Sequence, residues 1–329
     1  MAEGSINLTK QDLEELLGPV LAKECRTLED ISVRYLTKPG ENYGSTMLAV
    51  DVNHTPGPRT LPLVAKMLPK SLALRKICQC EVTARKEIYF YLLVRPAYER
   101  IQKENDVPEE KFLDVFPVCY GAWISSRGDA APVDETSVIL LENLKVQGFE
   151  CGDRFIGLNL PHCELVVEKL ARFHATAVAM KIKKPEEFKE IVVRTSVIVA
   201  EEDSGPNFTK PLENVPEYDA MKERIYTALI KSKLHFTSLS PGPSREPFAT
   251  LTHLDLWTNN IMFRYGSEPC KENPVSLKLI DFQMTRYDSP ARDLLVFLYT
   301  SAHLEVLSQH YDRLVRFYYD NFVDCLRIL

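Results

Sequence analysis

Two short polar motifs in the last quarter of this 329-residue chain carry side chains that could perform phosphoryl transfer. The first has the order H-x-D-x-x-x-x-N, at His253, Asp255 and Asn260. The second is an apolar run, residues 277–280, that leads into Asp281 and a phenylalanine. Two carboxylates and one amide oxygen, presented by a loop and by the end of a strand, can orient a hydroxyl and bind a divalent metal.

The spacing of these side chains predicts a division of roles. Transfer of the γ-phosphoryl group of ATP needs an oriented hydroxyl, an acceptor for its proton, and Mg²⁺ to neutralise the phosphates. We assign the proton-accepting, catalytic role to Asp255. Asn260 and Asp281 are expected to bind Mg²⁺, which prefers oxygen ligands and keeps several waters. His253 is expected to hold the loop backbone. This is the layout of kinase-like phosphotransferases, although the first motif alone would also fit a solvated loop with an Asx-turn.

Length and composition favour a folded cytoplasmic protein with two lobes. Single cores stop growing near about 250–300 residues, and 45% apolar residues are ample for a core. A net charge of −6 without a basic stripe argues against nucleic acid as a partner. No apolar run is long enough for a membrane span, and residues 1–10 lack the apolar core of a signal peptide. The eight scattered cysteines suit free thiols in a reducing compartment.

The N-terminal part of the chain is predicted to form a sheet that covers a nucleotide. After a helix at residues 11–24, alternating apolar residues predict strands at residues 28–37, 46–52 and 61–68, followed by a helical segment at 72–105 and two more strands at 117–126 and 136–141. The turn between the first two strands contains Gly44 and Ser45, which we predict to contact the cofactor. Because this turn has only two glycines, an ordinary hairpin turn is the alternative reading.

Three charged residues complete the predicted cofactor site. Lys66 lies inside the third strand and fits the lysine that contacts the α- and β-phosphates. Such a lysine needs an acidic partner from the next helix, where Glu81 and Glu87 are the candidates and Glu87 is favoured. Glu142 ends the last strand of this part, at a connection whose backbone would bind the adenine edge.

From residue 161 onward the pattern becomes mainly helical. A core helix is predicted at residues 161–180, in which His162 and His174 are interpreted as packing or capping residues. We predict a charged surface excursion at 181–216 and a helix at 217–236. A loop at 239–246 then leads to the first polar motif.

With these landmarks placed, the chain resembles the ecdysteroid kinase-like (CHK kinase-like) family, which is related to choline kinases and aminoglycoside phosphotransferases. The resemblance runs from about residue 40 to residue 301, and the Trp-Thr-Asn-Asn and Asp-Phe-Gln stretches are its most specific parts. It is carried by residues 40–45, 87–91, 140–144, 148–149, 165–175, 256–263, 281–283, 289–295 and 299–301.

The resemblance implies an α+β, protein-kinase-like bilobal fold. A small antiparallel β N-lobe is expected at residues 1–143 and a mainly helical C-lobe at residues 144–329. The implied activity is ATP- and Mg-dependent phosphorylation of a hydroxyl on an ecdysteroid-like sterol or another lipophilic alcohol. By position, Lys66, Asp255, Asn260 and Asp281 match the family's functional residues. Asp293 matches an acidic position that we interpret as structural support for the catalytic loop.

Two departures from the family pattern are visible. The family usually has glycine between the histidine and the aspartate of the catalytic loop, where this chain has Leu254. A glycine permits backbone shapes that cost a branched residue free energy. In addition, family members usually continue beyond the equivalent of Leu329 with helices that help to form the acceptor pocket. The chain is therefore expected to be a C-terminally short form.

Other functions stay open from the sequence. The main alternative is a catalytically weak or inert kinase-fold protein that binds a lipophilic ligand, which the departures at Leu254 and Leu329 favour. A protein kinase is disfavoured because the H-R-D and A-P-E signatures are missing. Choline as acceptor would call for an aromatic cage; Trp257, Tyr318 and Tyr319 are aromatic, but the sequence does not place them together.

Overall fold

The computed structural model describes residues 8–23, 27–36, 44–55, 59–128, 131–196, 221–224, 227, 246–266 and 271–329. The chain forms two compact units, one made of Met1–Val197 and Phe248–Leu329 and the other of Ile198–Pro247. All the structure discussed below belongs to the first unit. The predictions for residues 38–43 and 197–216 and for most of 217–246 lie outside the described residues.

A five-stranded antiparallel sheet forms the N-terminal part of the first unit, in the order β1-β2-β3-β5-β4. Alternate side chains of β2 lie in its core together with apolar side chains of the first helix, as the period-2 pattern predicted. The elements are α1 (Lys10–Lys23), β1 (Thr27–Tyr35), β2 (Thr46–Thr55), β3 (Arg59–Met67), β4 (Cys119–Trp123) and β5 (Val138–Glu142).

The predicted helical segment at 72–105 is divided into three helices. These are α2 (Leu72–Ile77), α3 (Cys80–Tyr89) and α4 (Arg95–Glu104). The chain turns between α2 and α3, where Gln79 has a φ of 45°. A π-helical turn, Phe90–Val94, joins α3 to α4. Its physical cause is Pro96, which has no N–H to donate to the carbonyl four residues earlier and whose ring crowds that carbonyl.

The C-terminal part of the first unit is mainly helical, with two small sheets. Its helices are α5 (Leu160–Lys183), α6 (Pro185–Thr195), α7 (Pro290–Ser301) and α8 (Leu304–Ile328). Its strands are β6 (Glu150–Cys151), β7 (Thr250–Thr252), β8 (Ile261–Tyr265), β9 (Pro274–Leu279) and β10 (Arg286–Asp288). The prediction of an irregular excursion from residue 181 is wrong for α6. That segment buries Phe188 and Ile191 one turn apart and places its charges on the other face.

A cluster of aromatic rings lies in the core of the first unit. Phe90 of the π-helical turn stacks on Phe282 with the ring centroids 3.7 Å apart. Phe116 contacts both rings edge-on, and Phe173, on α5, contacts both at a tilt. This core thus contains residues that precede and residues that follow residue 143. The lobe boundary at residue 143 stays a prediction. Within the described part of the chain, no helix is both long and apolar enough to cross a bilayer.

Candidate active site

The loop that carries Asp255 follows β7 and closes on itself. The side-chain amide of Asn260 donates to the backbone oxygen of Asp255 at 2.8 Å and to its carboxylate Oδ2 at 2.9 Å. The spacing of five residues allows this closure, because a 3₁₀ turn over Thr258–Asn260 brings the amide back toward the aspartate. Because the NH₂ group of Asn260 donates to Asp255, its amide oxygen is the atom that can bind a cation.

Leu254 has a left-handed backbone in this loop, with a φ of 62°. For a residue with a Cβ, this conformation costs about 1–2 kcal/mol. Two hydrogen bonds to Asp293 offset that cost: the amides of His253 and Leu254 donate to its carboxylate oxygens at 2.6 and 2.7 Å. The loop therefore has the backbone that the family glycine would favour, and keeps it with leucine in place.

The second motif is joined to the first through backbone and side-chain hydrogen bonds. The Ile280 amide donates to the backbone oxygen of Asn260 at 3.0 Å. The His253 ring bridges the motifs, because Nε2 lies 2.9 Å from the Ile280 oxygen and Nδ1 accepts from the Asp255 amide at 3.3 Å. This is the backbone-holding role predicted for His253. Asp281 follows directly, with a φ of 67°.

The ammonium group of Lys66 contacts two carboxylates. Its Nζ lies 2.6 Å from Glu87 Oε2 and 2.5 Å from Asp281 Oδ1. Of the two candidate partners on α3, Glu87 is buried against Lys66, whereas Glu81 is exposed. Burial alone would lower the pKa of Lys66, but the negative charges of Asp281 and Glu87 raise it above its usual value. Lys66 is therefore a fixed cation.

The carboxyl groups of this site also have shifted pKa values. Burial, followed by the negative charge of Asp281, raises the pKa of Asp255. Such a shift makes a carboxylate a better proton acceptor. Burial likewise raises the pKa of Glu87, against the opposing effect of Lys66. A hydrogen bond from the Phe282 backbone opposes the shift as well.

Four of the residues predicted to bind the cofactor line one open pocket. These are Gly44, Ser45, Lys66 and Glu87. Gln283 lines it too, and its side-chain amide lies 3.4 Å from Asp281 Oδ2. We did not predict Gln283 as a site residue. The sequence signal that could have identified Gln283 is its position two residues after Asp281, in the Asp-Phe-Gln stretch.

The hydrogen bonds of the Glu142 side chain go to residues other than those that line this pocket. Its carboxylate accepts from the Val118 amide at 2.9 Å and from Gln147 Nε2 at 2.6 Å. The Glu142 amide is bonded as well, to the Val118 oxygen at 2.9 Å. Both carboxylate oxygens of Glu142 are thus already hydrogen-bonded, and its contact with the cofactor stays a prediction.

The oxygens available for a metal ion are few. Asn260 Oδ1 and Asp281 Oδ2 are the candidates, since Asp281 Oδ1 is taken by Lys66. Among the described residues, no group of three or more histidine, cysteine or carboxylate side chains could hold a metal. Two oxygens leave most of the octahedron of Mg²⁺ to phosphate oxygens and water, which is the usual arrangement at nucleotide sites.

The fold and the candidate site together have the layout of a kinase-like small-molecule phosphotransferase. The antiparallel sheet presents a lysine paired with a helical glutamate, and the helical part presents the H-x-D-x-x-x-x-N loop beside a second aspartate. Residues 39–329 match the model of the ecdysteroid kinase-like family. The chain belongs to that family.

Two solved structures are similar over most of the chain. One is a spectinomycin phosphotransferase in complex with ADP and spectinomycin, with 13% identity, a TM-score of 0.44, and coverage of 96% of this chain and 80% of that one. The other is an ethanolamine kinase from Plasmodium vivax, with 12% identity, a TM-score of 0.44, and coverage of 100% of this chain and 88% of that one. No curated protein sequence matches the chain.

Proposed function

We propose that the protein transfers the γ-phosphoryl group of ATP, with Mg²⁺, to a hydroxyl of a lipophilic alcohol such as an ecdysteroid-like sterol. The observation that carries the proposal is the contact of Lys66 with both Glu87 and Asp281. This contact places the Lys66 ammonium, which would bind the phosphates, against Asp281, which would bind the metal ion. Asp255, whose pKa is raised by the charge of Asp281 after burial, belongs to the same electrostatic cluster.

The residues present fit ATP and Mg²⁺. Lys66 is a fixed ammonium at one end of the cavity that Gly44 and Ser45 also line, and an ammonium is a suitable point charge for phosphates. Asn260 and Asp281 offer only oxygens, the ligands that Mg²⁺ prefers. Bound Mg²⁺ would neutralise charge on the transferred group.

Asp255 is the residue that we propose accepts the proton of the acceptor hydroxyl. Asn260 donates to Oδ2 of its carboxylate, which orients the group and leaves Oδ1 for the hydroxyl. Proton transfer from the hydroxyl to Asp255 accompanies formation of the new O–P bond, while the bond from the γ-phosphorus to the bridging oxygen breaks and ADP leaves. The Asn260 contact holds the carboxylate in place, so little reorientation is needed.

A lipophilic acceptor is supported by an exposed apolar pair near the catalytic loop. Phe155 and Ile156 are 85% and 67% exposed. The segment that carries them contacts the loop, because Cys151 Sγ lies 3.5 Å from the Asn259 oxygen. A Cβ added to Gly152 would lie 3.2 Å from the Thr258 methyl. An exposed apolar surface beside a reaction site can bind an apolar ring system.

The experiment that tests the proposal is Mg²⁺-dependent transfer from γ-labelled ATP to a panel of ecdysteroids, other sterols and lipophilic alcohols. Asp255→Ala is expected to lower turnover by roughly 10²–10⁴ without unfolding the protein. Asp312→Asn, an exposed position on α8, serves as the matched control and should leave turnover unchanged. Equal activity in the Asp255 variant and the control would remove Asp255 from the reaction.

The second candidate is an inert kinase-fold protein that binds a lipophilic ligand. The observation that favours it is the strain at Leu254, a branched residue that Asp293 holds in a left-handed conformation beside Asp255. ATP binding by the folded protein, without transfer to any member of the panel, would select this candidate.

A further inference from the structure

A buried line of hydrogen bonds leads from α8 to the catalytic loop. The Tyr318 hydroxyl on α8 lies 2.8 Å from His174 Nδ1 on α5. His174 Nε2 lies 3.0 Å from Asp293 Oδ2 on α7. Asp293 in turn accepts from the amides of His253 and Leu254. The line ends one residue before Asp255, and it joins residues that are up to 144 positions apart in sequence.

The protonation states along this line follow from burial and chemistry. His174 and Asp293 have side chains with no exposed surface. Burial would raise the pKa of Asp293, but hydrogen bonds from His174 and the His253 amide hold it below its usual value. An ionised carboxylate can only accept, so His174 Nε2 carries a hydrogen. The Tyr318 hydroxyl can donate or accept, so it can form its hydrogen bond with Nδ1 in either protonation state of the ring.

Each partner restricts the next one. With its hydroxyl bonded to Nδ1, Tyr318 fixes the ring orientation in which Nε2 faces Asp293. His174 is also fixed through its backbone, whose oxygen accepts from Thr250 Oγ1 at 2.8 Å. The contact with His174 orients Asp293 so that one oxygen meets each of the two loop amides. These two amides hold the strained backbone at Leu254.

We propose that His174 and Tyr318 are positioning residues for Asp255, acting through Asp293. This inference rests on the proposed function for its kinetic consequence, and its structural part stands on the contacts alone. Loss of the Tyr318 hydroxyl frees the His174 ring to rotate, loosens Asp293, and lets the loop leave the left-handed conformation that aims Asp255. Packing around the Tyr318 ring is unaffected by that change.

The test is Tyr318→Phe, which removes one oxygen and keeps the ring that stacks on Phe322. Tyr319→Phe is the matched control, because Tyr319 is adjacent on α8 but 57% exposed. Two readouts are measured on the full chain: hydrogen exchange of the amides at residues 253–254, and the kinetic constants for transfer from ATP.

The expected result for Tyr318→Phe is faster exchange at these two amides and a fall in kcat of about 3- to 10-fold, the effect of one lost hydrogen bond. The KM for ATP should stay within about twofold, since Lys66 and the cavity are untouched. For His174→Gln, which keeps an N–H donor but not the ring, we expect a larger fall in kcat than for Tyr318→Phe. Tyr319→Phe should match the wild type in both readouts.

Two outcomes would overturn the inference. One is wild-type exchange at residues 253–254 in Tyr318→Phe. The other is a general loss of stability in Tyr318→Phe and His174→Gln with no selective change at these amides, which would make the pair merely structural. If the wild-type protein shows no transfer at all, the proposed function fails, and the exchange measurement still decides whether the pair positions the loop.

Discussion

The left-handed backbone at Leu254 predicts a reversal of the usual ranking of alanine and glycine. Leu254→Ala and Leu254→Gly both remove the half-buried side chain, so the difference between them isolates the backbone. At a φ of 62°, alanine keeps a strain of about 1–2 kcal/mol that glycine lacks. Glycine costs about 0.5–1 kcal/mol more chain entropy. The glycine variant should therefore be the more stable by about 1 kcal/mol.

The assay is urea denaturation of both variants with the midpoint and slope compared. Lys189→Ala and Lys189→Gly form the matched control pair, since Lys189 is exposed in the interior of α6. There glycine should be the less stable by about 1 kcal/mol. The reasoning is refuted if alanine is equal to or better than glycine at position 254, because the hydrogen bonds to Asp293 would then not be holding a strained residue.

Three further predictions concern the charged residues of the site. Asp255 accepts a proton only when ionised, and its pKa is raised by burial and by Asp281. The value of kcat/KM should therefore fall as the pH falls through that raised pKa, and a profile that stays flat down to about pH 4, the usual range of an aspartate, would exclude Asp255 as the base. Asp281→Asn should increase the Mg²⁺ concentration needed for half-maximal transfer, measured at fixed ATP, and an unchanged Mg²⁺ dependence would remove Asp281 from the metal site. Lys66→Met should lower the free energy of unfolding by about 3 kcal/mol or more, because the buried carboxylate of Glu87 loses the ammonium group that pairs with it. Adding Glu87→Met should recover part of that loss, and a double variant no more stable than the single one would contradict the pairing.

The parts of the fold that could be predicted are those with a local pattern. The strand β2 alternates apolar and polar side chains, and both polar motifs lie within a few residues of sequence. Glu87 could be favoured over Glu81 only with the family motif in hand, since each is a helical glutamate after the lysine strand. The structure places Glu87, not Glu81, against Lys66.

What could not be predicted depends on partners far apart in sequence. His174 was interpreted as a packing or capping residue, because nothing near it in sequence points to Asp293, 119 positions away, or to Tyr318. The helix α6 was missed because five of its eleven residues are charged and its two buried apolar residues, Phe188 and Ile191, are a weak signal. The φ of Leu254 is a similar case. Its conformation is set by Asp293, and leucine by itself disfavours it.

The contacts of Lys66 also bear on the order in which the reactants assemble. The carboxylates of Glu87 and Asp281 contact this single ammonium, and Asp255 interacts with it electrostatically. The carboxylates therefore outnumber the ammonium groups in this cluster, which disfavours a polyphosphate that arrives without its counter-ion. If the protein uses ATP and Mg²⁺ as proposed, we expect the chelate to enter as a unit, with the metal ion shielding the phosphates from the aspartates. Unchelated nucleotide should then be neither a substrate nor an effective competitor, so that the velocity follows the concentration of the chelate alone.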